Sequence, residues 1–217
     1  MATFTDLSTA AYCPRKLYYR RRDDDRGPPD EVEAVRELAF RYPELLAPET
    51  DLGDEPIAVT PTQYRSNLGS AKAGLDCWPA LVDPADRDVL LEGKDCRGVA
   101  HKVLAGPPRP VVVSAGRPPE RGVWEPQAVR ATAAAKALAW ERETPVSAAI
   151  VEYPAHGRVR RVRLTTGRKA AYRRALRTVE SLDGPPPRLD DEARCAPCEY
   201  REQCGVRTRS LRSRLSL

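Results

Sequence analysis

The sequence has no long apolar run, few aromatic residues and only two histidines. No stretch of about 18 uncharged apolar residues occurs, so the sequence predicts no transmembrane helix and no membrane partner. The first fifteen residues lack the apolar centre of a secretory signal peptide, and we therefore expect a cytoplasmic protein. Apolar residues make up 41% of the 217 and charged residues 31%, which excludes a fully disordered chain and favours one medium-sized folded domain.

Lysine is also scarce, because only six of the 36 basic residues are Lys and the others are Arg. The formal net charge is +5, but the charge is unevenly distributed. Residues 30–55 hold nine acids and two Arg, whereas residues 158–177 hold nine basic residues and no acid. The second segment suits an anionic ligand such as a DNA backbone. The candidate DNA-binding residues there are Arg160, Arg173, Arg174 and Arg177.

Further basic and aromatic residues extend this candidate surface. Arg20, Arg21 and Arg22 are placed to line the same groove, and tyrosine rings are suited to stacking on unpaired bases. The tyrosines with that predicted role are Tyr18, Tyr19 and Tyr172. The Arg-rich tail over 207–217 is interpreted as a flexible basic end.

Hydrophobic periodicity and turn residues predict an α/β fold with a mixed sheet. The predicted strands are 89–91 and 111–113, followed by a hairpin over 148–164 that turns at 154–157. The predicted helices are 30–42, 125–143 and 167–182. Segment 47–70 shows only a candidate strand at 57–59, and the helix over 125–143 is expected to bury Trp140.

Four of the six cysteines lie near the two ends of the chain. Cys195 and Cys198 have Cys-x2-Cys spacing, Cys204 follows, and Cys13 lies 182 residues before Cys195. Clustered cysteines in a cytosolic protein more often bind metal than form disulfides. Thiolate ligands favour zinc or an iron–sulfur cluster, and the spacing does not distinguish the two. The remaining pair, Cys77 and Cys96, is interpreted as ordinary buried or half-buried cysteine.

The segment Tyr-Cys-Pro-Arg-Lys-Leu-Tyr-Tyr over 12–19, together with the terminal Cys-x2-Cys-x5-Cys, resembles the CRISPR-associated RecB-like exonucleases of the PD-(D/E)XK superfamily. The resemblance implies a single nuclease domain over 1–217, with a central mixed sheet flanked by helices. It implies that segments 8–22 and 190–206 join at a [4Fe–4S] cluster. The ligands carried over are Cys13, Cys195, Cys198 and Cys204. A non-catalytic zinc scaffold or adaptor, with the same four cysteines as ligands, is the alternative.

The resemblance also implies a function in antiviral defence. Active members of the family are hydrolases that trim single-stranded DNA ends during spacer acquisition, and they work beside the adaptation integrase. They hold Mg²⁺ or Mn²⁺ with an Asp on one strand and a Glu-x-Lys on the next, so that the metal and the Lys activate water.

Two alignments of this catalytic motif remain open. In the first, here named the His101 alignment, the Gly-x-x-Asp pattern falls on 98–101 with His101 in place of Asp, and strand 111–113 leads into Ser114 instead of Glu. A protein of this kind binds DNA or a partner without cutting. In the second, named the Glu92 alignment, Glu92 and Lys94 supply the Glu-x-Lys, and Asp76 or Asp83 supplies the Asp. The sequence therefore leaves enzymatic activity open.

Overall fold

A computed structural model describes residues 1–23 and 29–205, so residue 206 and the basic tail lie outside the described part. The prediction of an α/β fold with a mixed sheet packed against helices is confirmed. The sheet has six strands: β1 Ala2–Thr3, β2 Asp86–Glu92, β3 Cys96–Leu104, β4 Arg109–Val113, β5 Ala148–Tyr153 and β6 Arg158–Arg163.

The strand order is β1-β3-β4-β5-β6, and β2 pairs with the other edge of β3. The β1–β3 and β4–β5 pairs are parallel, and the others are antiparallel. Strand β3 is therefore shared: β1 pairs with its beginning at Cys96 and Arg97, and β4 pairs with its end at Lys102–Leu104. Because a strand has only two edges, β1 and β4 lie along the same edge of β3 and leave it unpaired between them.

Helices cover both faces of the sheet. They are α1 Phe4–Tyr12, α2 Pro14–Arg20, α3 Asp30–Glu37, α4 Tyr42–Leu46, α5 Pro61–Gly74, α6 Trp78–Val82, α7 Glu125–Glu141, α8 Thr166–Glu180 and α9 Glu192–Cys195. All six residues of β5 are buried, as expected for a central strand with helices on both sides. No helix among the described residues is both long and apolar enough to cross a bilayer.

Two hydrophobic clusters form the core, one on each face. The first joins α1, α7 and α8 to the sheet and includes Leu7, Ala134 and Tyr172. The second lies under α4, α5 and α6 and includes Tyr42 and Tyr64. The Ala-rich centre of α7 packs closely on the sheet because small side chains let the helix approach it.

The predicted hairpin is confirmed, and so are strands at 89–91 and 111–113 within β2 and β4. The prediction of one continuous helix over 30–42 is wrong in its second half. A 3₁₀ turn at Leu38–Phe40 follows α3, and Pro43 lies in the first turn of a separate helix, where proline is tolerated. The candidate strand at 57–59 is irregular, and segment 47–70 instead leads into α5, whose N-cap is Thr60.

Two aromatic residues lie elsewhere than predicted. Trp140 is 59% exposed, because α7 reaches the end of the core there and the last turn extends past it. Tyr172 is 1% exposed and packs in the first core cluster. Its ring therefore has no free face for stacking on a base, which corrects that expectation.

Candidate functional site

A cavity of about 900 Å³ opens where β1 and β4 leave the edge of β3 unpaired. We call it the edge cavity. Its floor includes Gly98 and His101 from β3 and Ser114 from the end of β4. The His101 alignment names the positions of His101 and Ser114, and both side chains line this one cavity.

The imidazole of His101 ends the pairing between β3 and β4. The backbone N–H of Val113 donates to Nδ1 of His101 at 3.0 Å, in place of a backbone acceptor on β3. The next residue, Ser114, donates its N–H to the carbonyl of Glu152 at 2.8 Å, so the chain remains hydrogen-bonded to β5 where it separates from β3. His101 is 6% exposed. Burial, reinforced by the positive charges of Arg130 and Arg36, lowers the pKa of His101 to about 3. The ring is therefore neutral, with its proton on Nε2.

Three arginines line the same cavity: Arg20 from α2, Arg36 from α3 and Arg130 from α7. Arg36 is paired with Glu33 at 3.3 Å and with Asp88. Arg20 donates to the Thr9 hydroxyl at 3.1 Å. Burial and the nearby charges of Arg36 and Arg20 lower the pKa of Arg130 to about 10.

A residue of the helix that follows β4 contacts Ser114 from outside the lining of the edge cavity. Gln127 Nε2 in α7 donates to the Ser114 hydroxyl at 3.4 Å, and Gln127 Oε1 is buried with no hydrogen-bond partner among the described residues. Sequence reasoning missed Gln127, although a polar residue on the inner side of the first turn of an Ala-rich helix is a usable signal.

The structure does not bring the residues of the Glu92 alignment together. Glu92 ends β2 beside the start of β3, where it lies 3.9 Å from Arg97, and Lys94 lies in the following turn. Asp76 lies near the other end of β3, 3.3 Å from Arg109. Strand β3 spans eight residue steps, or about 27 Å, between these ends. Asp83, three residues before β2, is also at the Asp76 end.

A second, small cavity of about 20 Å³ is lined by all four cysteines that the sequence singles out. Cys13 comes from the α1–α2 junction, where its Sγ accepts a hydrogen bond from the Lys16 N–H at 3.4 Å. Cys195, Cys198 and Cys204 come from the end of the described chain. We call this the cysteine cavity. All four cysteines are half-buried and none forms a disulfide.

Direct contacts hold the two ends of the chain together around the cysteine cavity. The Tyr12 hydroxyl donates to the Arg194 carbonyl at 2.7 Å, and Arg194 donates back to the Tyr12 carbonyl at 2.9 Å. Lys16 pairs with Glu199 at 2.9 Å. The Tyr19 ring stacks on Tyr200, with centroids 5.9 Å apart. The N-terminal and C-terminal segments thus contact each other, but the expected joining at a four-cysteine metal cluster is not found among the described residues.

The residues around this cavity fit a thiolate-bound metal group in their chemistry. Four sulfur donors are the preferred set for zinc or an iron–sulfur cluster, and the cationic side chains of Arg15 and Lys16 line the same wall. Burial raises the pKa of the Cys198 thiol, so a metal has to displace its proton. Within residues 1–23 and 29–205, no three His, Cys, Asp or Glu side chains stand close enough together to hold a metal ion.

The candidate DNA-binding arginines are only partly grouped. Arg173, Arg174 and Arg177 are exposed along α8, and Arg174 pairs with Glu125 at 3.3 Å. Arg160 lies half-buried on β6, where it donates to the Glu120 carbonyl at 3.5 Å. Arg20 opens into the edge cavity. Arg207, Arg209, Arg212 and Arg214 fall outside the described residues.

Sequence reasoning also missed a fully buried ion pair beside the edge cavity. Lys102 follows His101 and points to the opposite face of the sheet, where its Nζ lies 3.0 Å from Glu152 Oε1 and also donates to the carbonyls of Ala39 and Leu81. Burial raises the pKa of Glu152, while Lys102 opposes that rise. Both side chains are 0% exposed, so neither is accessible to a ligand from solvent.

No protein-family model matches the chain, and no curated protein matches it.

Proposed function

We propose that the protein is a RecB-like nuclease homologue of CRISPR adaptation that binds single-stranded DNA and has lost metal-dependent cleavage. One observation carries the proposal. The edge cavity lies where β3, β4 and α7 converge, and there His101 and Ser114 stand at the positions that the family resemblance assigns to metal-binding carboxylates.

The side chains of the edge cavity disfavour a hard divalent cation. Mg²⁺ and Mn²⁺ prefer several oxygen ligands, and a neutral imidazole with one hydroxyl is a poor substitute. Arg20, Arg36 and Arg130 add positive charge, which repels a cation. Two carboxylates at the rim, Glu33 and Asp88, are already paired with Arg36. Without a bound metal, the site has no means of activating water for phosphodiester hydrolysis.

The four cysteines support the other half of the proposal, a [4Fe–4S] centre. Cys13, Cys195, Cys198 and Cys204 would hold the cluster, which links the two chain ends when it is bound. Tyr12, Tyr19 and Tyr200 line the same cavity as the four cysteines, and the positive charges of Lys16 and Arg15 would help to balance the negative charge of the thiolates. A zinc ion bound by the same four cysteines, in a scaffold or adaptor protein, is the second candidate, because the donor set suits both.

The exposed face of α8 supports DNA binding. Arg173 and Arg177 are exposed there, and such side chains contact phosphates without reading sequence. We propose single-stranded DNA as the ligand and the adaptation integrase as the partner. Binding through these arginines should weaken steeply as salt concentration rises.

Metal analysis of anaerobically purified protein tests the cofactor. We expect a brown protein with broad visible absorption, about four iron and four sulfide per chain, and loss of both in Cys13→Ser. The matched control is Cys77→Ser, which alters a half-buried cysteine outside the cysteine cavity. Stoichiometric zinc without iron in the wild-type protein would instead establish the zinc scaffold.

A digestion assay tests the loss of cleavage. Labelled single-stranded DNA is incubated with the holoprotein and Mn²⁺, and we expect binding in an anisotropy titration but no shortened product. Cleavage that disappears in both Glu92→Gln and Lys94→Met would overturn the proposal in favour of the Glu92 alignment. Cleavage that survives in both variants and disappears in His101→Ala would place an active centre in the edge cavity.

A further inference from the structure

We propose that the edge cavity binds the terminal nucleotide of a DNA strand through its phosphate, with Arg130 and Arg20 as the phosphate ligands. The proposal rests on the DNA binding proposed above and assigns it a specific pocket. In it, arginine side chains hold the phosphate directly, where an active nuclease would use a metal ion.

Arg130 is the central observation. It projects from α7 into the edge cavity, and no hydrogen bond or ion pair joins its side chain to any other described residue. Its Nε is buried and has no partner among these residues. Arg130 is half-buried, and a partly desolvated guanidinium without an anion is unfavourable, so binding of an anion at this site is favoured. The lowered pKa of Arg130 has the same cause.

Among the described residues that line the cavity, the other charged side chains already have partners. Arg36 is already neutralised by Glu33 and Asp88. Two further acids line the rim: Glu199 pairs with Lys16, and Asp23 accepts a hydrogen bond from the Tyr200 hydroxyl at 2.9 Å. Arg20 donates one N–H to the hydroxyl of Thr9, which carries no charge. The described carboxylates of the cavity are thus engaged at its rim, and none of them pairs with Arg130.

The neutral groups on the floor also suit an oxyanion. The neutral ring of His101 lines the floor and, unlike a carboxylate, does not repel an anion. The Ser114 hydroxyl accepts a hydrogen bond from Gln127 Nε2, which leaves its own O–H as a donor. Guanidinium groups bind phosphate oxygens in pairs of parallel hydrogen bonds, which gives both strength and orientation.

The size of the cavity indicates that more than a free phosphate binds. A volume of about 900 Å³ is at the upper end of the range for small-molecule sites and exceeds the needs of one phosphate. The remaining space suits a sugar and a base. A free nucleotide carries the same phosphate, sugar and base, so the experiment must distinguish binding of a free nucleotide from binding of a strand end.

The experiment compares strand ends in one protein. Fluorescence anisotropy measures binding of a 3′-labelled single-stranded oligonucleotide with and without a 5′-phosphate, to the holoprotein and to Arg130→Gln. We expect the wild-type protein to prefer the 5′-phosphorylated strand about tenfold or more, and Arg130→Gln to lose that preference. The matched control is Arg142→Gln, which removes an exposed arginine at the end of α7 that pairs with Asp86 at 2.8 Å.

Thermal unfolding with dTMP or inorganic phosphate provides the second measurement. We expect dTMP to raise the melting temperature of the wild-type protein and of Arg142→Gln but not of Arg130→Gln, since a ligand stabilises only the fold that binds it. The same scans show whether each variant is folded. A variant Arg130→Lys that restores binding only partly would support bidentate contact.

The outcomes separate this proposal from the proposed function. Equal binding of both strands by the wild-type protein and Arg130→Gln, with loss of binding in Arg173→Gln/Arg177→Gln, would overturn the phosphate pocket and leave DNA binding intact. No binding of either strand, with stabilisation by dTMP that requires Arg130, would keep the pocket for a free nucleotide and overturn DNA binding. Stabilisation by Mn²⁺ alone would overturn the pocket.

Discussion

At the residue scale, His101 shows how its surroundings set the chemistry of a side chain. The ring lies between buried backbone and the positive charges of Arg130, Arg36 and Lys102, so its protonated form is disfavoured. The backbone N–H of Val113 occupies Nδ1. Protonating Nδ1 would also break this hydrogen bond. The neutral form of the ring is therefore needed for the contact between β3 and β4 as well as for the proposed site.

This environment makes stability depend on pH in a defined direction. The pKa of His101 falls from 6.5 in the unfolded chain to about 3 in the fold, so the unfolded state binds the extra proton below pH 6.5. The stabilising contribution is fully present above pH 6.5 and is lost as pH falls toward 3. Between pH 7.5 and 5, we expect it to fall by about 2 kcal/mol.

Urea unfolding of His101→Asn at several pH values measures this contribution, because Asn keeps an acceptor for the Val113 N–H but does not titrate. Between pH 7.5 and 5, the free energy of unfolding should fall by about 2 kcal/mol more in the wild-type protein than in His101→Asn. His156→Asn is the control: burial lowers the pKa of His156 too, but this residue is only half-buried. A wild-type curve that runs parallel to that of His101→Asn would show that His101 is not buried in neutral form.

At the scale of elements, the close contact of α1 with β3 forms one wall of the edge cavity. The Phe4 ring, at the start of α1, lies directly over Gly98. A Cβ atom on Gly98 would come within 2.5 Å of Phe4 Cγ, closer than nonbonded atoms can approach. The packing of Phe4 therefore explains why position 98 is a glycine, independently of any catalytic role.

We expect Gly98→Ala to lower the free energy of unfolding by about 1–3 kcal/mol, because Phe4 has to move. The control is Gly69→Ala in α5, where a Cβ would meet nothing within 4 Å. That change should raise the free energy of unfolding by up to about 1 kcal/mol, since alanine favours a helix interior. Chemical denaturation measures both, and a neutral Gly98→Ala would contradict the described contact.

At the scale of the whole molecule, the cysteine cavity joins segments that are about 180 residues apart in the chain. Hydrogen bonds such as Tyr12 to Arg194 form only after folding and leave the unfolded chain unrestricted. A metal group bound to Cys13 and to the C-terminal cysteines would act as a cross-link that also restricts the unfolded chain. By analogy with a disulfide that closes a loop of this length, the added stability is about 5 kcal/mol.

We therefore expect Cys13→Ser, or removal of the metal by a chelator or by oxidation, to lower the free energy of unfolding by several kcal/mol. Denaturant unfolding of the anaerobic holoprotein, of the metal-free protein and of Cys13→Ser measures the change. Cys77→Ser is the control. Equal stability of holoprotein and metal-free protein would mean that no metal group links the chain ends.

The predictable part of the fold came from local patterns. The strands at 89–91 and 111–113 and the hairpin over 148–164 were predictable, because each depends on a short apolar run or on turn residues such as Pro and Gly. Helix α5 was missed, because its residues are mostly polar and only Tyr64, Asn67 and Leu68 are buried. The helix over 30–42 was predicted too long, because periodicity does not register a 3₁₀ turn.

The sequence by itself determined the fold class, the candidate cysteine ligands and the absence of carboxylates at positions 101 and 114, because residue type and spacing carry that information. Only the tertiary structure decided that His101, Ser114 and Arg130 share one cavity and that Asp76 lies at the other end of β3 from Glu92. It also decided that Lys102 and Glu152 form a buried pair. The physical reason is that these neighbours come from different strands and helices, and pairing and packing between elements set their distances.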